Sequence, residues 1–304
     1  MRIFLEATRG NVTAWAHALR SQARDEEIVE FRASAAVRWL GAAAMERVVR
    51  RADVFHASPA TVSAPAKTKV TATVEDLSYW LMPGLHTPQR MQSAALFAEK
   101  ILTRADGLIA VSEAARKDAI RLLGIDPDKI TTIYPGVDAV FYNARPATRA
   151  RPYVLSTADP SPSANLESLE AAWQRLGPGL RGRYDLVTLR ETDPADLPGL
   201  ISGATLLAHV PLYEAFPHPV AQAMAAGVAV VISETSGVPE IGRDAGLMVD
   251  PHSPTAIAAA LTRLLESDTE RAKLARYGRA RAELYRWEKC AADSLAFFHR
   301  VAGK

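Results

Sequence analysis

The chain has 304 residues, enough for about two domains at roughly 150 residues each. With 48% hydrophobic and 23% charged residues it has an ordinary globular composition, and 36 Lys and Arg against 34 Asp and Glu leave a net charge of +2, which gives no reason to expect nucleic-acid binding. The single cysteine, Cys290, excludes an internal disulfide framework and a cysteine-cluster metal site, and no apolar run nears the roughly 18 residues of a membrane span.

Short apolar runs alternate with helical patterns along most of the chain. Arg2-Ile3-Phe4-Leu5 reads as a first buried strand, and Glu6 follows at once, too early for a signal-peptide core. After the turn Thr8-Arg9-Gly10-Asn11, residues 12–24 are expected to be helical, as are 33–51, where Val37, Leu40, Ala44 and Val48 share a stripe. Residues 53–56 and 69–74 are strand-like, and 88–104 helical with Pro88 in the first turn. Gly107-Leu108-Ile109-Ala110-Val111 is a strand, Ser112 caps a helix to about Leu123, Gly124 ends it, and 129–134 form a further strand.

Residues 143–152 are Pro-rich, basic and poor in apolar residues, and read as a linker. Strands are then expected at 153–157, 184–189, 205–210, 228–233 and 246–249. The helices between and after them fall at 165–176, 196–202, 219–226, 253–267, 269–285 and 287–301. The pattern predicts an α/β protein of two Rossmann-like, doubly wound domains, 1–143 and 152–286, with a terminal helical segment 287–304. Ligands of such sheets sit beyond the carboxyl ends of the strands, so a cleft between the domains is the expected site.

The richest stretch is Leu212-Tyr213-Glu214-Ala215-Phe216-Pro217-His218-Pro219-Val220-Ala221-Gln222-Ala223-Met224-Ala225-Ala226-Gly227. A strand end delivers Glu214 to a loop, and a helix opens at Pro219. Unsatisfied N–H groups and a positive dipole end make that helix start suited to a diphosphate. A carboxylate beside it can bind sugar hydroxyls or offset an oxocarbenium-like charge.

This segment resembles the signature of the retaining, GT-B-fold glycosyltransferases of family 4, and other stretches match in order. Ala105-Asp106-Gly107-Leu108-Ile109-Ala110-Val111-Ser112-Glu113 and Ile133-Tyr134-Pro135-Gly136-Val137-Asp138 are similar to segments of the family's first domain. Gly237-Val238-Pro239-Glu240-Ile241, Gly246-Leu247-Met248-Val249-Asp250-Pro251 and Trp287-Glu288-Lys289 are similar to later ones. The resemblance implies a terminal helix crossing back to the first domain. It also implies transfer of a hexose from a nucleotide diphosphate sugar to a hydroxyl acceptor (glycan, glycolipid or natural product), with retention and without a metal, in the cytoplasm. On the same resemblance no D-x-D metal site is implied, and no cofactor beyond the donor is expected.

On that resemblance Glu214 holds the donor sugar, Gln222 the ribose, and Phe216, Pro217, His218 and Val220 line the donor with Thr157. Glu75, Asp76 and Gly10 line the acceptor side, and Arg9 reaches into the cleft in partial replacement of cations the family uses there. The sequence departs from the family pattern in several places. Gln222 stands where the second signature glutamate is expected, and Glu75 where a histidine is. No Arg or Lys occurs between Pro152 and Arg175, where the family's diphosphate-clamping cations fall, and residues 182–211 are short. The turn at 8–11 lacks the family's fuller Gly-rich form. Losing two charge-assisted contacts of about 1.5–3 kcal/mol each costs on the order of a hundred-fold in rate. The alternative is therefore a catalytically degenerate homologue that binds a saccharide or serves an active transferase as its non-catalytic partner. Arg38, Arg47, Arg50 and Arg51 punctuate an Ala/Val/Leu helical pattern, a basic face that either stays solvated or docks peripherally on anionic lipid.

Overall fold

The computed structural model describes residues 1–6, 12–31, 41–158, 161–188 and 196–304. The chain divides into two units, Met1–Gly136 with Trp287–Lys304, and Val137–Arg286.

The first unit holds a parallel sheet of β1 (Arg2–Glu6), β2 (Glu27–Phe31), β3 (Val54–Ala57), β4 (Lys69–Val74), β5 (Gly107–Ala110) and β6 (Ile130–Thr132), in the order β2-β1-β3-β4-β5-β6. Its helices are α1 (Val12–Gln22), α2 (Ala42–Val48), α3 (Ser78–Leu81), α4 (Pro88–Lys100) and α5 (Glu113–Leu123). Strands covered on both faces must be apolar throughout, and Ile3, Leu5, Val54, Phe55 and Ile109 are buried accordingly. At α5 the Ser112 hydroxyl accepts the Ala115 N–H at 3.0 Å, and Gly124 ends the helix at φ 64°.

In the second unit, α6 (Ala139–Tyr142) precedes β7 (Tyr153–Ser156), α7 (Leu166–Arg175), α8 (Pro178–Arg183), β8 (Asp185–Thr188), α9 (Leu197–Gly203) and β9 (Leu206–His209). Then follow α10 (His218–Ala226), β10 (Val230–Ser233), α11 (Val238–Gly242), β11 (Gly246–Val249), α12 (Pro254–Glu266) and α13 (Asp268–Ala282). The five strands are parallel in the order β11-β10-β9-β7-β8. The terminal helix α14 (Trp287–Ala302) belongs to the first unit and packs on α1, where the Trp15 indole donates to Ser294 Oγ at 3.1 Å. Phe297 and Phe298 of α14 are buried, a contribution of about 1.5–3 kcal/mol each. Both layered units are of the Rossmann type that the β-then-α alternation predicts.

Three features differ from the expectations. Strand β2 was not anticipated: it is an edge strand, Glu-Ile-Val-Glu-Phe, in which Ile28 alone is buried. The helix expected over 33–51 is described only from Ala42, and it buries Met45 rather than the stripe through Ala44 and Val48. The presumed linker 143–152 lies within the second unit. There Ala147 N–H donates to Gly199 O at 2.8 Å and Ser202 Oγ donates to Ala144 O at 3.1 Å, so the stretch is bound along α9. Among the described residues no helix is long and apolar enough to cross a membrane. Arg47, Arg50 and Arg51 are exposed, while Arg38 lies outside the described residues.

Candidate active site

The carboxyl edge of the second sheet gathers most of the predicted donor-side residues. Strand β9 ends in His209, and the loop after it carries Glu214 before α10 begins. That loop is held by its neighbour after β10. Glu214 N–H donates to Ser236 Oγ at 2.8 Å, and Ser236 Oγ and Gly237 N–H return to Glu214 O at 2.8 and 3.0 Å. Thr235 Oγ1 donates to Leu212 O at 3.2 Å. Ser236 sits at φ 52°, a left-handed conformation held by these bonds.

The Glu214 carboxylate pairs with Nε2 of His209. Its side chain is 29% exposed and that of His209 only 6%, so the acid keeps a free flank while the imidazole is enclosed. His209 was not among the predicted residues. The signal was present in the sequence, a single polar residue closing the apolar run Leu206-Leu207-Ala208 five positions before Glu214.

The residues that open α10 divide into wall and surface. Phe216 is buried, with edge-to-face ring contacts to His218 at 4.8 Å and Tyr285 at 5.7 Å. Pro217 is buried, and so is the Val220 side chain, which leaves the latter only backbone to offer a ligand. His218 N–H donates to Phe216 O at 3.0 Å and Ala221 N–H to Pro217 O at 3.2 Å, while Pro219 has none, so this helix start offers fewer than the usual four donors. Desolvation holds the His218 imidazole below its ordinary pKa, with the Glu214 and Asp138 carboxylates opposing. Gln222, one turn on and half-buried, shares the His218 face of the helix.

Across the sheet, Thr157 follows β7 directly and is buried, its Oγ1 without a hydrogen-bond partner among the described residues. Ala158 is buried and Ala164 packs on the apolar core. Asn165, at φ 59°, donates from Nδ2 to Val210 O and Pro251 O, both at 2.8 Å, tying three loops together. Asp159 and Pro160 lie outside the described residues.

In the first unit, Glu75 and Asp76 follow β4 and are exposed. Asp76 Oδ1 accepts the Ser78 N–H at 2.8 Å, an Asx-type cap that orients the acid at the start of α3. Desolvation, with the Asp76 charge second, raises the Glu75 carboxyl above its ordinary value although the side chain reaches the surface. Arg9 and Gly10 lie outside the described residues. A buried acid that the sequence reading left unassigned, Glu6 at the end of β1, accepts the Thr61 hydroxyl.

Comparison with known proteins places the chain in a family. Residues 6–141 match the family Glycosyltransferase Family 4 and residues 185–281 match Glycosyl transferases group 1. The O-antigen chain mannosyltransferase B of Escherichia coli is 26% identical over 263 residues, covering 75% of this chain and 69% of the relative. A D-inositol 3-phosphate glycosyltransferase of Nocardioides is 27% identical over 254 residues, 67% of this chain and 55% of the relative, so the chain spans about half to two thirds of the length of such curated relatives. Among solved structures, a sucrose-phosphate synthase of Thermosynechococcus elongatus superposes with a TM-score of 0.75 at 16% identity, covering 100% and 99% of the two chains. Anabaena HepE in complex with UDP-glucose does so at 0.71 and 18%, covering 97% and 99%. Both show the same GT-B architecture of two Rossmann-like domains. The chain belongs to the family 4 glycosyltransferases of GT-B fold.

Proposed function

We propose that this chain transfers a hexose from a nucleotide diphosphate sugar to a hydroxyl of a saccharide or lipid-linked acceptor, with retention and without a metal ion. The observation that carries the reading is the fixing of Glu214. Its backbone is clamped by Ser236 and Gly237, and its carboxylate is held on one side by His209 and open on the other.

As the bond from the anomeric carbon to the diphosphate breaks, positive charge grows on the sugar and negative charge on the leaving diphosphate. Glu214 accepts hydrogen bonds from sugar hydroxyls and offsets the first charge. The start of α10 faces the second, with the Val220 N–H and the positive end of the helix dipole in place of the cations that the 157–165 loop lacks. Gln222 bonds the ribose through an amide that both accepts and donates. Glu75 and Asp76, with Gly10, serve the acceptor, Arg9 replaces part of the missing positive charge, and the hydroxyl's proton leaves with the diphosphate. The exposed Arg47, Arg50 and Arg51 suit contact with an anionic lipid surface on the cytoplasmic side.

A second reading is favoured by one observation: the loop after β7, residues 157–165, carries no Arg or Lys, and Ala158 is buried in it. The chain would then be a non-catalytic partner of an active transferase. A donor panel that includes UDP-glucose and GDP-mannose, assayed for transfer and hydrolysis, separates the two. Turnover that falls by about 10²–10³-fold in Glu214→Gln supports the transferase. Binding without turnover for every donor supports the partner reading, and no binding at all overturns the donor site.

A further inference from the structure

We propose that Thr157 and His209 form a hydroxyl-binding subsite for the donor hexose, in which His209 also positions Glu214. This assignment rests on the donor reading of the Glu214 edge and names the part of the donor that these two side chains recognise.

Strands β7 and β9 are neighbours, with Val154 level with Leu206 and Leu155 level with Leu207. Continued two residues past the last of these pairs, the same register brings Thr157, just beyond the end of β7, level with His209. In a parallel pair, residues at equal height lie about 4.8 Å apart across the strands and project from the same face. Both are buried, His209 at 5% and Thr157 at 9% exposure. Nδ1 of His209 and Oγ1 of Thr157 each lack a hydrogen-bond partner among the described residues, so they do not bond each other. Buried polar atoms are nearly always satisfied, and two orphans at the carboxyl ends of adjacent strands, beside the presumed sugar-binding acid, point to a ligand.

The chemistry of the pair selects the ligand group. A carboxylate only accepts, so the His209 Nε2 that meets Glu214 carries the hydrogen. In the uncharged ring, Nδ1 is then a bare acceptor. The Thr157 hydroxyl both donates and accepts. An ionised phosphate oxygen has no hydrogen to give Nδ1, whereas a sugar hydroxyl donates to Nδ1 and accepts from Thr157. A third orphan, Ser233 Oγ, stands one residue past Ile232, which is level with His209, and so projects from the opposite face of the sheet. It takes no part in the subsite.

The test is calorimetric titration of UDP-glucose, GDP-mannose, UDP and GDP into the wild-type chain and into Thr157→Val, His209→Leu and His209→Gln, with unfolding midpoints checked for each. Thr157→Val removes a hydroxyl and keeps the shape. It is expected to weaken the sugar nucleotide about 3–10-fold, the worth of one hydrogen bond, and to leave the matching nucleoside diphosphate within about twofold. His209→Leu is expected to weaken the sugar nucleotide further, and His209→Gln, which retains a donor and an acceptor, to recover most of the loss. Among deoxy analogues of the bound sugar, one should bind wild type and Thr157→Val equally. Equal losses for the sugar nucleotide and the bare diphosphate, or no loss in Thr157→Val, would overturn the subsite while leaving the donor reading intact. A wild-type chain that binds none of the four overturns the donor reading and the subsite together.

Discussion

The Ala215 carbonyl occupies the space in which a side chain on Gly237 would begin, with Glu214 O 3.1 Å from the same point. The loop that carries the candidate catalytic acid is thus seated directly on the backbone of the loop after β10, and glycine is required by contact rather than by dihedral angle. Gly237→Ala must push the 214–216 turn outward. A loss of about 1–3 kcal/mol in urea unfolding is expected, as for other overpacked sites, together with weakened donor binding. Gly182→Ala in α8, where nothing lies within 4 Å of the added carbon, is the control: it should leave donor binding unchanged and raise rather than lower stability, by up to about 1 kcal/mol.

Asn165 combines a left-handed backbone with two buried bonds, to Val210 O and Pro251 O. Asn165→Gly keeps the backbone comfortable and loses the bonds. Asn165→Ala loses the bonds and adds strain of about 1–2 kcal/mol. The alanine variant should therefore unfold at lower denaturant than the glycine variant, and both below wild type. Equal midpoints for the two variants would show that the φ of 59° is not a constraint on this turn.

These contacts also show where the sequence could be read and where it could not. Strands such as Ile3-Phe4-Leu5 and Val230-Val231-Ile232 announce themselves because a doubly covered parallel strand must be apolar at every position. Strand β2 carries glutamates at 27 and 30 and buries little, so it has no such signature. The helices α3, α6, α8 and α11 are too short to show a period. In the site, Glu214 stands out from its neighbours in sequence. Its partnership with His209 depends on how the loop folds back over the strand end, which contacts between residues 211–214 and 235–237 decide, and no local pattern encodes those. Trp287 was legible as part of a match to a family and Asn165 as the start of a helix, but their roles were not. Asn165 joins three loops, and Trp287 lies so close over Gly136 that a Cβ there would meet its ring.

Cys290, the chain's one cysteine, is buried on the inner face of α14, and burial pushes its thiol up to about 12. At pH 8 about one thiol in ten thousand is then ionised, and that fraction is enclosed. Ellman's reagent should find no thiol in the native chain and one after guanidinium unfolding. A stoichiometric native reaction would mean that α14 leaves the first unit on the timescale of the assay.

His56 offers the clearest dependence on acidity. It stands at the centre of the first sheet, between Thr71 Oγ1 at 3.0 Å and Thr73 Oγ1 at 3.1 Å, with the Trp15 and Phe298 rings against it. Burial lowers its pKa from 6.5 to about 3. The unfolded chain therefore binds a proton below pH 6.5 that the folded chain refuses. The stabilising contribution is complete above that pH and is lost as pH falls toward 3, at about 1.4 kcal/mol per unit. Between pH 7 and pH 5 this one residue should remove about 2 kcal/mol from the unfolding free energy. His218, also depressed, adds to the same slope, so the comparison needs a variant. In His56→Gln an amide that does not titrate takes the place between the two threonines, and the drop between pH 7 and pH 5 should shrink by that amount. Parallel pH profiles for the two proteins would show that the imidazole is already charged in the folded state, or that water reaches it.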